Sequence, residues 1–331
     1  AYDMGAPGIR AGAPGSAGTA QAGIDYLAPL WAGRGLEETV EPTIAALNDL
    51  PRAAGFPAGC ARVGGGFSAW RLALEQDAGQ LAATLARIRA ASGVAVLVIP
   101  QLQEGAYGHA GARQLLGDRL TTSHVLDIGG GSLQIAGERG AWGDVLGQKA
   151  WQRRLCQEIR NSESVPCDLQ PMTGAELATA RSLLAELLGG VAAALPGPVT
   201  LTAISRPVSR GVAPAVARLA PAGAAADVLQ RPALSAAIDR IAGLTGSETL
   251  VATGSPRDHV AYLLSTMLLV EGVLLATGGE SRKVAEIDLS SLRGLLADDH
   301  AFAWEGRHDC YLERLPALGL GAYASDPATC P

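Results

Sequence analysis

The spacing of apolar residues changes repeatedly between helical and strand periodicity along the chain. Apolar positions at 3.6-residue spacing predict four main helices, over residues 36–50, 70–91, 173–195 and 258–278. Short apolar runs predict three strands, at residues 94–99, 125–128 and 199–204. Helices and strands that alternate in this way are typical of an α/β protein whose sheets are covered by helices.

A glycine-rich turn interrupts the apolar pattern at residues 125–136, which read VLDIGGGSLQIA. The apolar approach ends in Asp127, three glycines and Ser132, and then apolar alternation resumes, which predicts strand, tight turn, strand. Backbone N–H groups in such a turn suit a phosphate. A carboxylate at the mouth of the turn suits a hydrated Mg²⁺ or Ca²⁺ beside that phosphate. The alternative is a glycine-rich hairpin with a solvated aspartate.

Two further segments carry carboxylates in comparable places. Asp3 and Gly5 form a second Asp-x-Gly turn near the start, although a chain with 42 glycines also meets this pattern by chance. Glu104 follows the strand predicted at 94–99 and is placed on a loop before a helix predicted at 110–116. A catalytic base often occupies such a strand end, and so do many surface glutamates.

In this order, the Asp-x-Gly turn, Glu-Gly-Ala-Tyr-Gly at 104–108 and Asp-Ile-Gly-Gly-Gly-Ser at 127–132 resemble the nucleoside triphosphate diphosphohydrolases (apyrases). These share the actin/hexokinase/Hsp70-like (ribonuclease H-like) fold with the exopolyphosphatases and guanosine pentaphosphatases, which the stretch 263–296 resembles more closely. The resemblance implies a two-domain α/β fold with the active site in an inter-domain cleft. The domains are predicted at 1–123 and 124–309, with the tail from about 310 to 331 returning to the first.

The resemblance also implies roles for individual residues. Glu104 would act as the general base for water, and Gln134 would help to position that water. Asp3 and Asp127 would hold one Mg²⁺ or Ca²⁺ through water, since Mg²⁺ keeps several waters and needs few carboxylates. The predicted phosphate-binding residues are Gly5, Gly8, Arg10, Gly129, Gly130, Gly131 and Ser132. For Gln134, the alternative is an outward-facing polar residue on a strand.

The predicted function is therefore metal-dependent hydrolysis of phosphoanhydride bonds in a nucleotide or polyphosphate. Three departures from the family pattern favour an alternative, a catalytically impaired phosphate-binding or sensor protein on the same fold. The first loop carries Ala6-Pro7, which offers no hydroxyl and one N–H fewer. The segments 62–71, with Arg71 nearby, and 202–206 also match poorly. A sugar or acyl kinase would need an adenosine pocket that the sequence does not indicate.

Composition excludes several other classes of partner. The 331 residues are 48% hydrophobic and only 4% aromatic, with a net charge of −6 and no basic block. That balance argues against binding to a nucleic-acid duplex or stacking on single strands. No run of 18 uncharged apolar residues occurs, and the nearest, 261–278, carries Glu271 and is predicted to be a buried helix. A second copy of the chain is a candidate partner.

The five cysteines favour an exported protein. Cys156 and Cys167 flank a polar segment, and Cys310 and Cys330 bracket the C-terminal segment, which predicts two local disulfides with Cys60 free. The alternative is five reduced thiols in a cytoplasmic protein. No signal peptide is visible, but the family has a full strand before the first aspartate. The start at Ala1 therefore fits either removal of a signal peptide into the periplasm or medium, or a trimmed sequence.

Overall fold

The computed structural model describes residues 1–16, 18–57, 59–220, 228–278, 281–284 and 291–330. The chain divides into two compact units, Ala1–Gly111 with Ser290–Pro331, and Ala112–Leu289. The sequence placed the first boundary at 123/124 and the returning tail at about 310. The first division of the structure falls inside the helix Gln101–Leu116, and the second falls about twenty residues before the predicted tail.

The first unit contains a five-stranded sheet in the order β3-β2-β1-β4-β5. Its strands are β1 (Tyr2–Gly5), β2 (Gly8–Ala11), β3 (Ala20–Gly23), β4 (Val63–Gly66) and β5 (Ala95–Val98). Its helices are Leu27–Trp31, Glu37–Ala53, Ser68–Gln76, Ala78–Ser92, the start of Gln101–Leu116, Leu292–Leu296, Asp299–Ala303, His308–Leu318 and Gly321–Ala324. Strands β4 and β5 are buried along their whole length, because helices cover the sheet.

The second unit contains a six-stranded sheet in the order β10-β11-β9-β6-β7-β8. Its strands are β6 (His124–Ile128), β7 (Leu133–Gly137), β8 (Gly140–Asp144), β9 (Leu201–Ala203), β10 (Val228–Gln230) and β11 (Ser281–Val284). Its helices are Gln148–Arg160, Gly174–Leu187, Val191–Ala194, Ala213–Leu219 after a π-helical turn at Pro207–Val212, Arg231–Ala242, Gly246–Thr253 and Arg257–Ala276. The core forms around Arg257–Ala276, twelve of whose residues are buried.

The two sheets repeat one topology. In each, three consecutive strands form an antiparallel meander, and the first strand of the meander pairs in parallel with a later strand. The two predicted Asp-x-Gly turns occupy the same place in the two meanders, between the first and second strands. The sequence shows no residue-level repeat, so the duplication becomes visible only in the strand order.

Two of the predicted helices are shorter than their periodicity suggested. The helix expected over 70–91 is two helices, Ser68–Gln76 and Ala78–Ser92. Asp77 separates them, because its backbone is extended and its side chain accepts a hydrogen bond from the N–H of Gln80 at 2.8 Å. The helix expected over 173–195 ends at Leu187. Apolar periodicity continues through both breaks, so it could not locate them.

Two helical stretches, Gly174–Ala194 and Arg257–Ala276, are long and apolar enough to span a membrane by length and composition alone. In the second, 67% of the apolar window is buried inside the protein, as predicted for a core helix. Its Glu271 accepts hydrogen bonds from Arg181 at 2.8 Å and from Ser235 at 2.6 Å. These bonds compensate for burial of the carboxylate.

Both predicted disulfides are present. Cys156 is bonded to Cys167 and Cys310 to Cys330, while Cys60 is a free and exposed cysteine. The first disulfide attaches the loop after the helix Gln148–Arg160 to that helix. The second joins the helix His308–Leu318, through Cys310, to Cys330 twenty residues later in the chain.

Replacing both Cys156 and Cys167 by serine is expected to lower the free energy of unfolding by about 2–4 kcal/mol, because the unfolded chain gains the freedom of an open loop. Urea denaturation measures the change. Cys60→Ser is the matched control and should leave the midpoint unchanged, since Cys60 forms no disulfide. An unchanged midpoint in the double variant would show that this crosslink does not contribute to stability.

Candidate functional site

The first predicted loop is a tight hairpin between β1 and β2. Asp3 lies directly opposite Arg10, and Gly5 lies opposite Gly8. The hairpin therefore brings all four predicted residues together, with Asp3 and Arg10 partly exposed. Ala6, in the turn, is only 2% exposed and packs in the core, so the position that would need a hydroxyl points away from solvent.

Gly8 has a structural reason to be glycine. Its φ is +147°, and a Cβ there would lie 2.1 Å from the carbonyl oxygen of Ala22 on β3. A side chain is excluded because β3 passes too closely. The glycine is thus explained by strand packing, whether or not phosphate binds beside it.

Glu104 lies in the first turn of a helix and not on a loop. The predicted helix 110–116 begins at Gln101, and the N–H of Glu104 donates to the carbonyl of Pro100 at 3.0 Å. The helix Leu292–Leu296 packs closely against this helix. A Cβ on Gly294 would lie 2.3 Å from the Cα of Tyr107. The carboxylate nevertheless follows directly after β5, as predicted.

A buried arginine holds Glu104 in place. Nη2 of Arg71 lies 2.7 Å from Oε2 of Glu104, and Nη1 donates to the carbonyl of Ile99 at 2.9 Å. The side chains of Arg71 and Glu104 are only 4% and 11% exposed. The sequence pointed to Arg71 only as a residue near a poorly matching motif. Its pairing with a side chain 33 positions away could not be deduced from that motif.

A second set of buried contacts fixes the same helix. The hydroxyls of Tyr107 and Tyr323 both donate to Oδ2 of Asp298, and they lie 2.7 Å from each other. Burial raises the pKa of both tyrosines, so they stay protonated donors. Burial alone would raise the pKa of Asp298, but hydrogen bonds from the two tyrosines and from the backbone N–H groups of His300 and Ala301 together lower that pKa. The C-terminal segment is thereby attached to the helix that carries Glu104.

The second predicted loop connects β6 and β7. Asp127 lies opposite Gln134, and the N–H of Gly129 donates to the carbonyl of Ser132 at 2.9 Å, which closes the turn. Gln134 is only 2% exposed, so the alternative of an outward-facing residue is wrong. Its Nε2 donates to Oγ of Ser132 at 2.9 Å. Gln134 thus fixes a hydroxyl of the loop.

A helix N-terminus packs directly on this glycine loop. The N–H groups of Gln148 and Lys149 donate to the carbonyls of Gly129 and Gly130 at 2.8 and 2.7 Å. Within the described chain, the N–H groups of Gly130 and Gly131 donate to no backbone carbonyl. Two carbonyls of the loop thus accept hydrogen bonds from the helix, and outward N–H groups of this kind are what an anion-binding turn requires. The sequence did not identify Lys149, a cation in the first turn of this helix.

Asp3 and Asp127 are each of a residue type that suits a hydrated divalent cation. Asp3 and Asp127 are single, partly exposed carboxylates at equivalent places in the two meanders. Among the described residues, no group of three or more His, Cys, Asp or Glu side chains forms a dedicated metal cluster. A hard cation that keeps most of its waters needs few protein carboxylates, so the chemistry of each of these two suits such a cation.

The structure is similar to solved structures that are named as Ppx/GppA phosphatases, exopolyphosphatases or exopolyphosphatase-like proteins. A Ppx/GppA phosphatase from Aquifex aeolicus is 18% identical, with a TM-score of 0.62 over 89% of this chain and 96% of its own. An exopolyphosphatase from Cytophaga hutchinsonii is 16% identical, with a TM-score of 0.58 over 89% and 95%. An exopolyphosphatase-like protein is 18% identical, with a TM-score of 0.66 over 90% and 97%.

The chain has the two-domain actin-like fold. At these identities the likeness establishes the fold alone. Neither a family model nor the sequence of a curated protein matches the chain. The fold that the order of motifs predicted is therefore confirmed. The particular resemblance to apyrases has no counterpart among these structures, which are named for exopolyphosphatase and Ppx/GppA activities.

Proposed function

We propose that the protein hydrolyses phosphoanhydride bonds in polyphosphate or in nucleotides. The observation that carries the proposal is the buried Arg71–Glu104 pair at the carboxyl end of β5. A merely solvated surface glutamate would not need a buried arginine, whose desolvation is costly. A base that must take a proton from a water does need a fixed position. The names of the structures with the same fold support the same class of substrate.

Each predicted residue has a defined part in this proposal. Glu104 orients the attacking water and accepts its proton, while Arg71 holds the carboxylate in position. The N–H groups of Gly130 and Gly131 bind oxygens of the phosphoryl group under attack, where negative charge develops. Gln134 acts through Ser132, whose hydroxyl it fixes at 2.9 Å. Arg10, opposite Asp3 in the first hairpin, is the proposed cation for a phosphate oxygen.

Asp3 and Asp127 are the residues proposed to hold Mg²⁺ or Ca²⁺ through water. When bound, the cation would neutralise charge on the phosphate oxygens. Gly5 and Gly8 keep the hairpin beside Asp3 narrow, and Gly129 closes the second loop.

The alternative function is binding without turnover. Ala6 is buried and Pro7 has no N–H, so the turn between β1 and β2 provides neither a hydroxyl nor a full set of donors. A protein with this turn could bind a phosphate ligand through the glycine loop alone. It would then act as a sensor.

Phosphate release from ATP, ADP, GTP and polyphosphate, with Mg²⁺, with Ca²⁺ and with a chelator, distinguishes the two. We expect release that is lost with the chelator, because the phosphate oxygens need a cation in a protein of net charge −6. Release from polyphosphate alone would assign an exopolyphosphatase, and release from ATP and ADP an apyrase-like activity. Binding of nucleotide or polyphosphate without any release of phosphate would support the sensor function. Ala6→Ser and Pro7→Ser, which add hydroxyls to the turn between β1 and β2, would then be the first variants to test for phosphate release.

We also propose that the protein works outside the cytoplasm, in the periplasm or the medium. The two disulfides support this, since such bonds persist in oxidising compartments. Titration of thiols in the denatured protein from its native source should give one reactive thiol per chain, that of Cys60. Five would indicate the cytoplasmic alternative.

A further inference from the structure

Three side-chain oxygens meet beside the helix that carries Glu104, and two of them belong to tyrosines. The hydroxyls of Tyr107 and Tyr323 both donate to Oδ2 of Asp298, that of Tyr323 at 2.6 Å, and the two hydroxyls lie 2.7 Å from each other. The tyrosines are only 3% and 5% exposed, so water hardly competes for these bonds. We call Tyr107, Asp298 and Tyr323 the tyrosine–aspartate cluster.

The cluster acts on the helix within one turn of Glu104. Tyr107 lies three residues after Glu104 in the helix Gln101–Leu116, so the two side chains start from neighbouring positions on one helix face. This helix contains three glycines in its interior, and each makes a helix less stable than alanine would. Contacts from elsewhere in the fold must therefore hold the first turns of this helix in place.

A ring contact connects Tyr107 to the helix of the arginine that binds Glu104. The rings of Tyr107 and Phe67 meet edge to face, with centroids 6.5 Å apart. The backbone N–H of Arg71 donates to the carbonyl of Phe67 at 3.0 Å, at the start of the helix Ser68–Gln76. Tyr107 thus contacts both helices that meet at the Arg71–Glu104 pair.

Tyr323 is fixed by its backbone as well as by its hydroxyl. Nε2 of His300 and Nε1 of Trp304 donate to the carbonyl of Tyr323 at 2.6 and 3.3 Å. Asp298 belongs to the same arrangement, because its Oδ1 accepts the N–H of His300 at 2.9 Å and so caps a short helix. The C-terminal segment therefore offers the helix of Glu104 a rigid partner and not a loose chain end.

We propose that Tyr323 is a positioning residue for Glu104, which it holds in place through Asp298 and Tyr107. A base that takes a proton from water must keep its place closely, since a misplacement of about 1 Å costs about 10²-fold in rate. The role of Glu104 as base rests on the proposed function. The mechanical coupling from Tyr323 to the helix of Glu104 can be measured without any substrate.

Hydrogen–deuterium exchange of the intact protein, followed by mass spectrometry, tests the coupling. Tyr323→Phe removes one hydroxyl and keeps the ring, so the fold should persist, and backbone amides of the helix Gln101–Leu116 should exchange at least about tenfold faster. Tyr26→Phe is the matched control, because Tyr26 forms a buried bond of the same kind with Oγ1 of Thr43 at 2.7 Å in the same unit. It should leave exchange in that helix unchanged. Unchanged exchange in Tyr323→Phe, or an equal increase in the control, would overturn the inference.

Turnover then shows whether the coupling serves the base. Tyr323→Phe should lower kcat for phosphate release by about tenfold and change KM by less than about twofold, whereas Tyr26→Phe should keep both. In a protein that already carries Glu104→Gln, Tyr323→Phe should lower kcat no further, because the positioned carboxylate is gone.

The cycle separates the inference from the proposed function. The same fractional loss of kcat with and without Glu104→Gln would mean that Tyr323 acts elsewhere, which overturns this inference alone. A wild-type kcat in Glu104→Gln would overturn the proposed role of Glu104 and this inference together.

Discussion

Glu104→Gln is expected to lower kcat by about 10²–10⁴-fold on whichever substrate releases phosphate. The amide keeps the size of the side chain and can still accept from Nη2 of Arg71, which lies 2.7 Å from the carboxylate. It cannot accept a proton from water at neutral pH. KM should change far less than kcat, because the proposed contact between Glu104 and the water matters chiefly in the transition state.

Stability must be measured beside turnover in this variant. Arg71 is 4% exposed, and replacing its charged partner by an amide should lower the free energy of unfolding by about 1–3 kcal/mol. Glu75→Gln, an exposed glutamate on the helix Ser68–Gln76, is the matched control and should retain both activity and stability. A wild-type kcat in Glu104→Gln would remove Glu104 from the mechanism.

Arg71 offers an independent check of the same pair. Arg71→Lys keeps a positive charge near Glu104 but loses the second donor to the carbonyl of Ile99. If Arg71 positions the carboxylate, Arg71→Ala should lower kcat strongly and Arg71→Lys should recover part of it. A wild-type kcat in Arg71→Ala would show that Arg71 does not position the carboxylate.

Gly147→Ala is expected to lower activity by about 10²-fold, because it displaces the glycine loop by a fraction of an ångström or more. A Cβ on Gly147 would lie 2.4 Å from the backbone nitrogen of Ser132 and 2.6 Å from the carbonyl oxygen of Gly129. Both are backbone atoms that no rotamer change can move away. The helix Gln148–Arg160 or the loop must therefore shift, at a cost of about 1–3 kcal/mol in stability.

The control for this variant is another glycine near a helix start. Gly174→Ala adds the same methyl group where no atom lies within 4 Å, so activity and stability should be unchanged or slightly improved. Phosphate release and urea denaturation measure both proteins. Wild-type activity in Gly147→Ala would show that the loop tolerates displacement and is not a fixed phosphate site.

Several features follow from short-range patterns in the sequence. The glycine turn between Asp127 and Gln134 was predicted as a hairpin because turn residues separate two apolar runs, and it is one. The disulfides Cys156–Cys167 and Cys310–Cys330 were predicted because each closes a short segment. Helix periodicity found most of the main helices. It failed at Asp77, where a cap interrupts an unbroken apolar stripe.

The tertiary structure decided what depends on contacts between distant residues. The sequence placed Glu104 on a loop between the end of a predicted strand and a helix predicted at 110–116, but it lies in a helix that begins at Gln101. Likewise, the burial of Ala6 and the contact of Gly147 with the loop depend on elements far apart in the chain.

The sequence by itself therefore determined the α/β class, the two Asp-x-Gly turns and the two disulfides, because periodicity, turn chemistry and short loop closures are local properties. The actin-like fold class followed from the resemblance of the motif order to a known family. Only the tertiary structure decided which arginine holds Glu104 and which helix packs on the glycine loop. Such pairings depend on side chains brought together from distant positions, and no local pattern specifies them.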